Sequence, residues 1–316
     1  MKILLTGAGG FVGRAMRRSL CSAGHDCVSV TRKVEALPGG DSTHAVGDIS
    51  SHTDWRSLLS GVDVVLHLAG RAHVLHEPGG NARELFDAVN VGGTVNLAQQ
   101  AVSAGVKRFV YVSSIGVHGA STHEVPFNEL SPLKPYSPYT ASKRRAEQEL
   151  QALASPSPME WVIVRPPLIY AADAPGNFQQ LLRLVARSVP LPFSGVKNLR
   201  SMIALENLVD FLGLCCVHRE AANQAFVVCD SHDVSTPEII ESLCVGMKSK
   251  TRLFWLPERM ISAGATLVGR QHTYMQLFGS LRVDARKAAE HLGWQPVSAT
   301  PDALIEAGRL FMETAH

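Results

Sequence analysis

A tyrosine and a lysine four residues apart, in Tyr139-Thr140-Ala141-Ser142-Lys143, have the types and spacing to move a proton. An unperturbed phenol has a pKa of roughly 10, and a cation one helical turn away on the same face favours its ionised form. Such a pairing brings tyrosine toward the range where it exchanges protons near neutral pH. Ser114 ends a predicted strand over residues 106–113, and its hydroxyl could bond the same substrate oxygen and stabilise charge developing there. A strand-end serine often bonds only its own backbone, so Ser114 gains meaning from Tyr139 and Lys143. Far upstream, Thr6-Gly7-Ala8-Gly9-Gly10-Phe11-Val12-Gly13 has the form of a dinucleotide-holding turn. Gly7 permits the tight turn, Gly10 lets the backbone approach a pyrophosphate, and Gly13 lets a helix pack closely on a strand. Proton transfer beside a bound dinucleotide is redox chemistry.

These residues need a scaffold, and the sequence supplies one. The apolar run at 2–5 reads as a buried parallel strand, followed at once by the glycines and a helical stretch over 11–23. Further strand-like runs at 27–30, 62–68, 106–113 and 161–164 alternate with amphipathic stretches, which predicts an α/β fold, a Rossmann-type doubly wound parallel sheet. Beyond Arg165-Pro166-Pro167 the pattern is broken by Pro175, Gly176, Pro190, Pro192 and Gly195, although 225–229 again reads as a strand. The expected division is a dinucleotide-binding domain over 1–170 plus about 200–230, and a smaller, discontinuous α/β substrate domain over about 171–199 and 231–316. No internal repeat or low-complexity segment interrupts it.

Composition narrows the function. The 316 residues carry a formal net charge of +2 from 30 basic and 28 acidic side chains. With no basic tract there is no electrostatic footprint for nucleic acid, while a small anionic substrate stays open. The six cysteines form no C-x-x-C pair and no charged leader precedes the first strand, so a reduced, cytoplasmic protein is expected. No metal site is expected. No apolar run approaches the roughly 20 residues of a membrane span. The apolar segment 260–268 is expected to be a packed helix rather than a membrane contact.

The series formed by the glycine turn, Gly47-Asp48-Ile49, His67-Leu68-Ala69-Gly70, Asn90-Val91-Gly92-Gly93-Thr94, Ser113-Ser114, Tyr139 with Lys143, Arg165-Pro166-Pro167, Arg200-Ser201-Met202-Ile203 and Leu292-Gly293-Trp294 runs along nearly the whole chain. In this it resembles the extended short-chain dehydrogenases/reductases (SDRs) of the nucleotide-sugar epimerase/dehydratase family. The G-x-x-G-x-x-G spacing is the form seen in short-chain dehydrogenases. The resemblance implies Ser114, Tyr139 and Lys143 as the catalytic trio, with Lys143 also on the nicotinamide ribose. It implies a cofactor site of Gly7, Gly10, Phe11, Val12, Gly13, Thr31, Arg32, Asp48, Ile49, Leu68, Ala69, Gly70, Asn90, Tyr139, Lys143 and Pro166, with Asp48 bonding the adenine amino group. For a UDP-sugar it implies Asn177 and Arg200 on the diphosphate, Arg71 and His73 bordering the sugar, and Arg282 as a further contact. It also implies a homodimer through 83–104 and 140–153, stretches whose alanines and leucines fit packing on their own sheet equally well.

Local departures separate the activities in such a family. An acidic residue reading the 2'-hydroxyl of NAD is expected about 20 residues after the glycines. Thr31 stands there, followed by Arg32 and Lys33, and Arg32 could hold a 2'-phosphate through a bidentate, charge-assisted bond. NADP(H) is therefore favoured, with NAD(H) open and a merely solvated Arg32-Lys33 pair the bland alternative. Ile115-Gly116 follow Ser114 where dehydratases carry an acidic pair, which argues against dehydration. No cysteine lies near Ser114 in the sequence to serve epimerisation at carbons 3 and 5. Two activities survive. The Thr31-Arg32 pair favours an NADPH-dependent 4-keto reductase, and parts of the C-terminal half resemble reductases of UDP-4-keto-6-deoxy-N-acetylhexosamines in bacterial surface polysaccharide (lipopolysaccharide) synthesis. The alternative is a UDP-hexose or UDP-N-acetylhexosamine 4-epimerase. A non-catalytic NADP-binding sensor or scaffold is a third reading, weakened because serine, tyrosine and lysine are all present. His118 and Ala171 depart from the family pattern without an evident role.

Overall fold

The computed structural model describes residues 1–34, 43–72, 82–257, 259–261 and 278–314. His73 and all but the first two residues of 260–268 lie outside them. The strands are β1 (Lys2–Thr6), β2 (Asp26–Thr31), β3 (Thr43–Ala45), β4 (Val64–His67), β5 (Arg108–Val112), β6 (Glu160–Arg165), β7 (Leu168–Tyr170), β8 (Met202–Ala204) and β9 (Gln224–Val227). Seven of them form one sheet in the order β3-β2-β1-β4-β5-β6-β9, with β7 and β8 a separate pair. Every pairing in the large sheet is parallel. The doubly wound sheet is thus the one the alternating pattern predicts. The sequence pattern misses β3, β7 and β8, because three residues are too few to establish a period.

Strand β1 shows why the sheet is buried on both sides. Ile3 and Leu5 face a layer built from α1 (Phe11–Ser22) and α6 (Leu205–Val217), while Leu4 faces the opposite layer. That second layer holds α3 (Thr94–Ser103) and α4 (Pro138–Ala154), whose Leu97, Ala98, Ala101, Ala146 and Leu150 bury against the sheet. The alanine faces of both proposed dimer stretches therefore pack, at least in part, on their own sheet. A third core joins α5 (Asn177–Ala186), α7 (Thr236–Met247) and the C-terminal helix Thr300–Thr314 through Phe178, Leu182, Ile240, Leu243 and Leu304. Phe11, the first residue of α1, packs onto this third core and ties the glycine turn to it.

Strand order reverses between β1 and β4, which are neighbours in space. Open α/β sheets bind ligands in the crevice beyond the carboxyl ends at such a switch point. The glycine turn, Leu68-Ala69-Gly70, Ser113-Ser114 and Pro166 follow β1, β4, β5 and β6, so the fold gathers them on one edge.

Candidate active site

Gly7 turns the chain with φ +72°, and a Cβ there would lie 2.9 Å from the Ala69 nitrogen. At Gly13 a Cβ would stand 2.0 Å from the Gly7 carbonyl oxygen, so only glycine lets α1 lie this close to the turn. Gly10 is the N-cap and offers no side chain to the opening amides of α1. The result is a bare, electropositive helix start beside β4, the arrangement that holds a phosphate. A nicotinamide dinucleotide fits this cradle through its pyrophosphate.

Tyr139 is held by a well-capped helix end. Ser137 accepts a hydrogen bond from the Thr140 amide at 3.2 Å, Thr140 reciprocates on the Ser137 amide at 3.0 Å, and Pro138 occupies the first turn. A Cβ on Gly116 would be 2.6 Å from Thr140 Cγ2, 3.2 Å from Tyr136 Cε1 and 3.4 Å from Ser114 Oγ. The start of α4 thus presses directly against the Ser114 loop. Ser114 Oγ accepts a hydrogen bond from the Gly116 amide at 3.1 Å and keeps its own proton to donate. Ser113, by contrast, is buried.

Lys143 donates to the Val112 carbonyl at 2.9 Å and lies 4.7 Å over the Tyr111 ring. Its Nζ and Asn90 Oδ1 would be 3.2 and 3.1 Å from a Cβ on Gly70, so three family-implied cofactor positions converge. Burial pushes the Lys143 ammonium down to about 8, Glu147 opposing the shift. Burial, with Tyr136 nearby, pushes the Tyr139 phenol up to about 12. The expected lowering of Tyr139 by Lys143 is absent here, because desolvation dominates and the ammonium is aimed at a carbonyl and a ring face.

Asn90 sits in a π-helix, Asp87–Gly93, a rare element frequent at functional sites. It accepts from the Arg71 amide at 2.8 Å and donates to Ser142 Oγ at 2.9 Å, and Ser142 donates to the Tyr139 carbonyl at 2.7 Å. Across the cleft floor His67 links Thr6 Oγ1 at 2.7 Å and Thr94 Oγ1 at 2.9 Å. Burial, reinforced by Lys143, lowers the His67 pKa to about 3, which leaves the ring neutral. Sequence patterning assigns His67, Thr94 and Ser142 no role. Their signal was present only as letters inside motifs chosen for their neighbours.

The remaining predicted positions divide. Thr31 is buried and donates to the Lys33 carbonyl at 2.7 Å, while Arg32 is exposed and stands 3.7 Å from Asp48. Ile49 packs against Gly93. The Pro166 carbonyl accepts from the Ile115 amide at 2.9 Å, holding the Ser114 loop against the end of β6. Asn177 opens α5 after Gly176, whose φ is +77°. Arg200 donates to the Gly279 carbonyl at 3.0 Å, and burial lowers its pKa, with Tyr136 close enough to oppose the shift. Arg282 donates to Asp233 at 3.0 Å. Cys229, remote in sequence, shares a small cluster with Ile115. Burial pushes its thiol up to about 12, with Asp233 and Asp230 adding to the shift. Among the described residues no group of three His, Cys, Asp or Glu could hold a metal ion.

The sequence model of the NAD dependent epimerase/dehydratase family matches residues 3–229. A UDP-glucose 4-epimerase from Vibrio cholerae is 37% identical over 98% of this chain and 95% of its own length. An N-acetyl-alpha-D-glucosaminyl-diphospho-ditrans,octacis-undecaprenol 4-epimerase from Escherichia coli O157:H7 is 26% identical over 81% of this chain and 75% of its own. The crystal structure of a Thermotoga maritima UDP-glucose 4-epimerase with UDP-glucose superposes with a TM-score of 0.81 over all of both chains, at 20% identity.

Proposed function

We propose that this chain, which belongs to the NAD dependent epimerase/dehydratase family of extended SDR enzymes, is a 4-epimerase of a hexose or N-acetylhexosamine carried on UDP. The observation that carries this reading is the likeness, over almost the full length of both chains, to a protein named as a UDP-glucose 4-epimerase. Both named relatives act, by their names, on a hexose or hexosamine joined to a diphosphate. This replaces the reductase favoured by Thr31 and Arg32 with the alternative that the sequence left open.

The glycine cradle, with Asn90, Gly70 and Lys143 grouped beyond it, would hold a nicotinamide dinucleotide, which would supply reversible hydride acceptance at carbon 4. Burial holds the Tyr139 phenol at about 12, so Tyr139 would first have to lose its own proton, with Lys143 and the positive charge of an oxidised nicotinamide favouring the phenolate. Its oxygen then takes the proton of the 4-hydroxyl and gives it back when the hydroxyl re-forms. Ser114 donates to the same oxygen, holding it while its charge changes. Lys143 keeps a positive charge near that oxygen, and Arg200 grips the diphosphate by its guanidinium fork. The Thr31-Arg32 pair supports a second reading, NADPH-dependent reduction of a 4-keto sugar, since the long, exposed Arg32–Asp48 contact leaves the guanidinium open to a 2'-phosphate.

The test is incubation with UDP-glucose or UDP-N-acetylglucosamine and NAD, followed through the anomeric proton resonances. The expected result is conversion to the 4-epimer with no net change at the reduced-nicotinamide absorbance band. Consumption of NADPH with a 4-keto-6-deoxy sugar, and no epimer, is the result that would install the reductase instead.

A further inference from the structure

Phe254, Trp255 and Met260 present large apolar side chains to solvent. Trp255 is 67% exposed, Met260 60% and Phe254 45%. They are not loose. Leu191 donates to the Arg252 carbonyl at 2.9 Å, and Phe254 donates back to the Leu191 carbonyl at 3.0 Å. A Cβ on Gly195 would lie 2.6 Å from Trp255 Cδ1, so the indole rests on that glycine and turns its remaining surface outward. Met260 stands at the start of the 260–268 segment expected as a packed helix, most of which lies outside the described residues. Between 248 and 260 there are four basic residues and one acidic, in a chain whose whole net charge is only +2. Lys250, Arg252 and Arg259 are exposed alongside the apolar side chains.

We propose that this face is a peripheral contact for an anionic lipid bilayer. Tryptophan and phenylalanine settle at the headgroup boundary, where an apolar ring and a wet edge are both accommodated, and flanking cations gain about 1 kcal/mol each from an anionic surface. Neither set suffices alone, and together they give the two signals that stable peripheral binding needs. A second copy of this chain is a poor occupant, because a two-fold contact would set the basic residues against their own images. The segment 191–195, joined to this face by the bridge between Leu191 and Leu253, leads within five residues to Arg200.

The test is co-sedimentation of the full chain with vesicles of phosphatidylcholine and phosphatidylglycerol in equal parts, against phosphatidylcholine alone, with Trp fluorescence read in parallel. Binding to the anionic vesicles only, reversed by high salt and accompanied by a blue shift, is expected. Lys250→Glu with Arg252→Glu should weaken it at least about twentyfold, at about fivefold per neutralised cation. Phe254→Ser with Trp255→Ser should abolish both binding and shift. None of these residues belongs to the site described above, so unchanged turnover of a water-soluble UDP-sugar certifies the fold of each variant. The charge pair serves if the aromatic pair does not fold. No sedimentation, equal binding to both vesicle types, wild-type binding by either double variant, or a blue shift that follows protein concentration rather than lipid would each overturn the proposal. The outcome is independent of which sugar the enzyme turns over.

Discussion

Lys143 and Glu147 lie one turn apart on α4, both buried, and their surroundings differ in a way that separates chemistry from architecture. Glu147 is fully partnered. Arg165 donates Nε and a terminal nitrogen to its two oxygens at 3.0 and 2.8 Å. The other terminal nitrogen of Arg165 donates to His118 Nε2 at 3.1 Å, and His118 Nδ1 donates to the Ser131 carbonyl at 3.0 Å. This gives His118 a role that the sequence did not reveal: it completes a buried ionic triad joining α4 to β6 and the Ser131 loop. Lys143 has no such fork, only a carbonyl and a ring face. A buried charge with a complete set of partners holds elements together, whereas one left short of partners has a displaced pKa and is free to interact with what enters the cleft.

The comparison is broken most severely at the reacting end. Tyr139→Phe is expected to lower turnover by about 10³–10⁴-fold, roughly 4–5.5 kcal/mol, while the thermal midpoint stays near that of the wild type. Kinetics and calorimetry on the same preparation check this, and a fall in midpoint would move Tyr139 to the architectural side.

At the other end, Glu147→Ala leaves the Arg165 guanidinium buried beside His118 without its carboxylate. A loss of about 3–5 kcal/mol in denaturant unfolding is expected. Replacing both partners by apolar residues, Glu147→Leu with Arg165→Met, should recover most of it. Equal destabilisation in the single and double variants would show that the triad is not a unit.

Lys143→Met sharpens the contrast, since it should gain stability where Glu147→Ala loses it. Removing an ammonium whose burial is poorly compensated is expected to stabilise the cofactor-free protein by about 1–3 kcal/mol at pH 7, with turnover lost. The sign follows from linkage. Folded Lys143 releases its proton near pH 8, but an unfolded lysine keeps it to about 10.4. Between those values the unfolded chain binds more protons, so wild-type stability rises with pH there, and the variant lacks that rise. Parallel stability curves for the two proteins over this window would contradict the assignment.

What could be read from the sequence follows from what is local. The glycine turn and the Tyr139-to-Lys143 spacing are read from neighbours along the chain, and the sheet follows from apolar alternation. The triad of His118, Glu147 and Arg165 is assembled from three distant segments, so no spacing announces it. The π-helix at Asp87–Gly93 rests on backbone bonding that composition does not encode. The burial that raises the Tyr139 phenol and the approach of Cys229 to Ile115 both arise only once the sheet is formed. Thr31 and Arg32 speak to a phosphate beside the second strand, which says little about whether carbon 4 is reduced once or oxidised and reduced in turn.

That last distinction is measured most directly with UDP-N-acetylglucosamine deuterated at carbon 4. The epimerase account predicts formation of the 4-epimer with deuterium retained at carbon 4 and no net gain or loss of reduced nicotinamide. Absence of the epimer, with NADPH oxidised in proportion to an added 4-keto sugar, would contradict it.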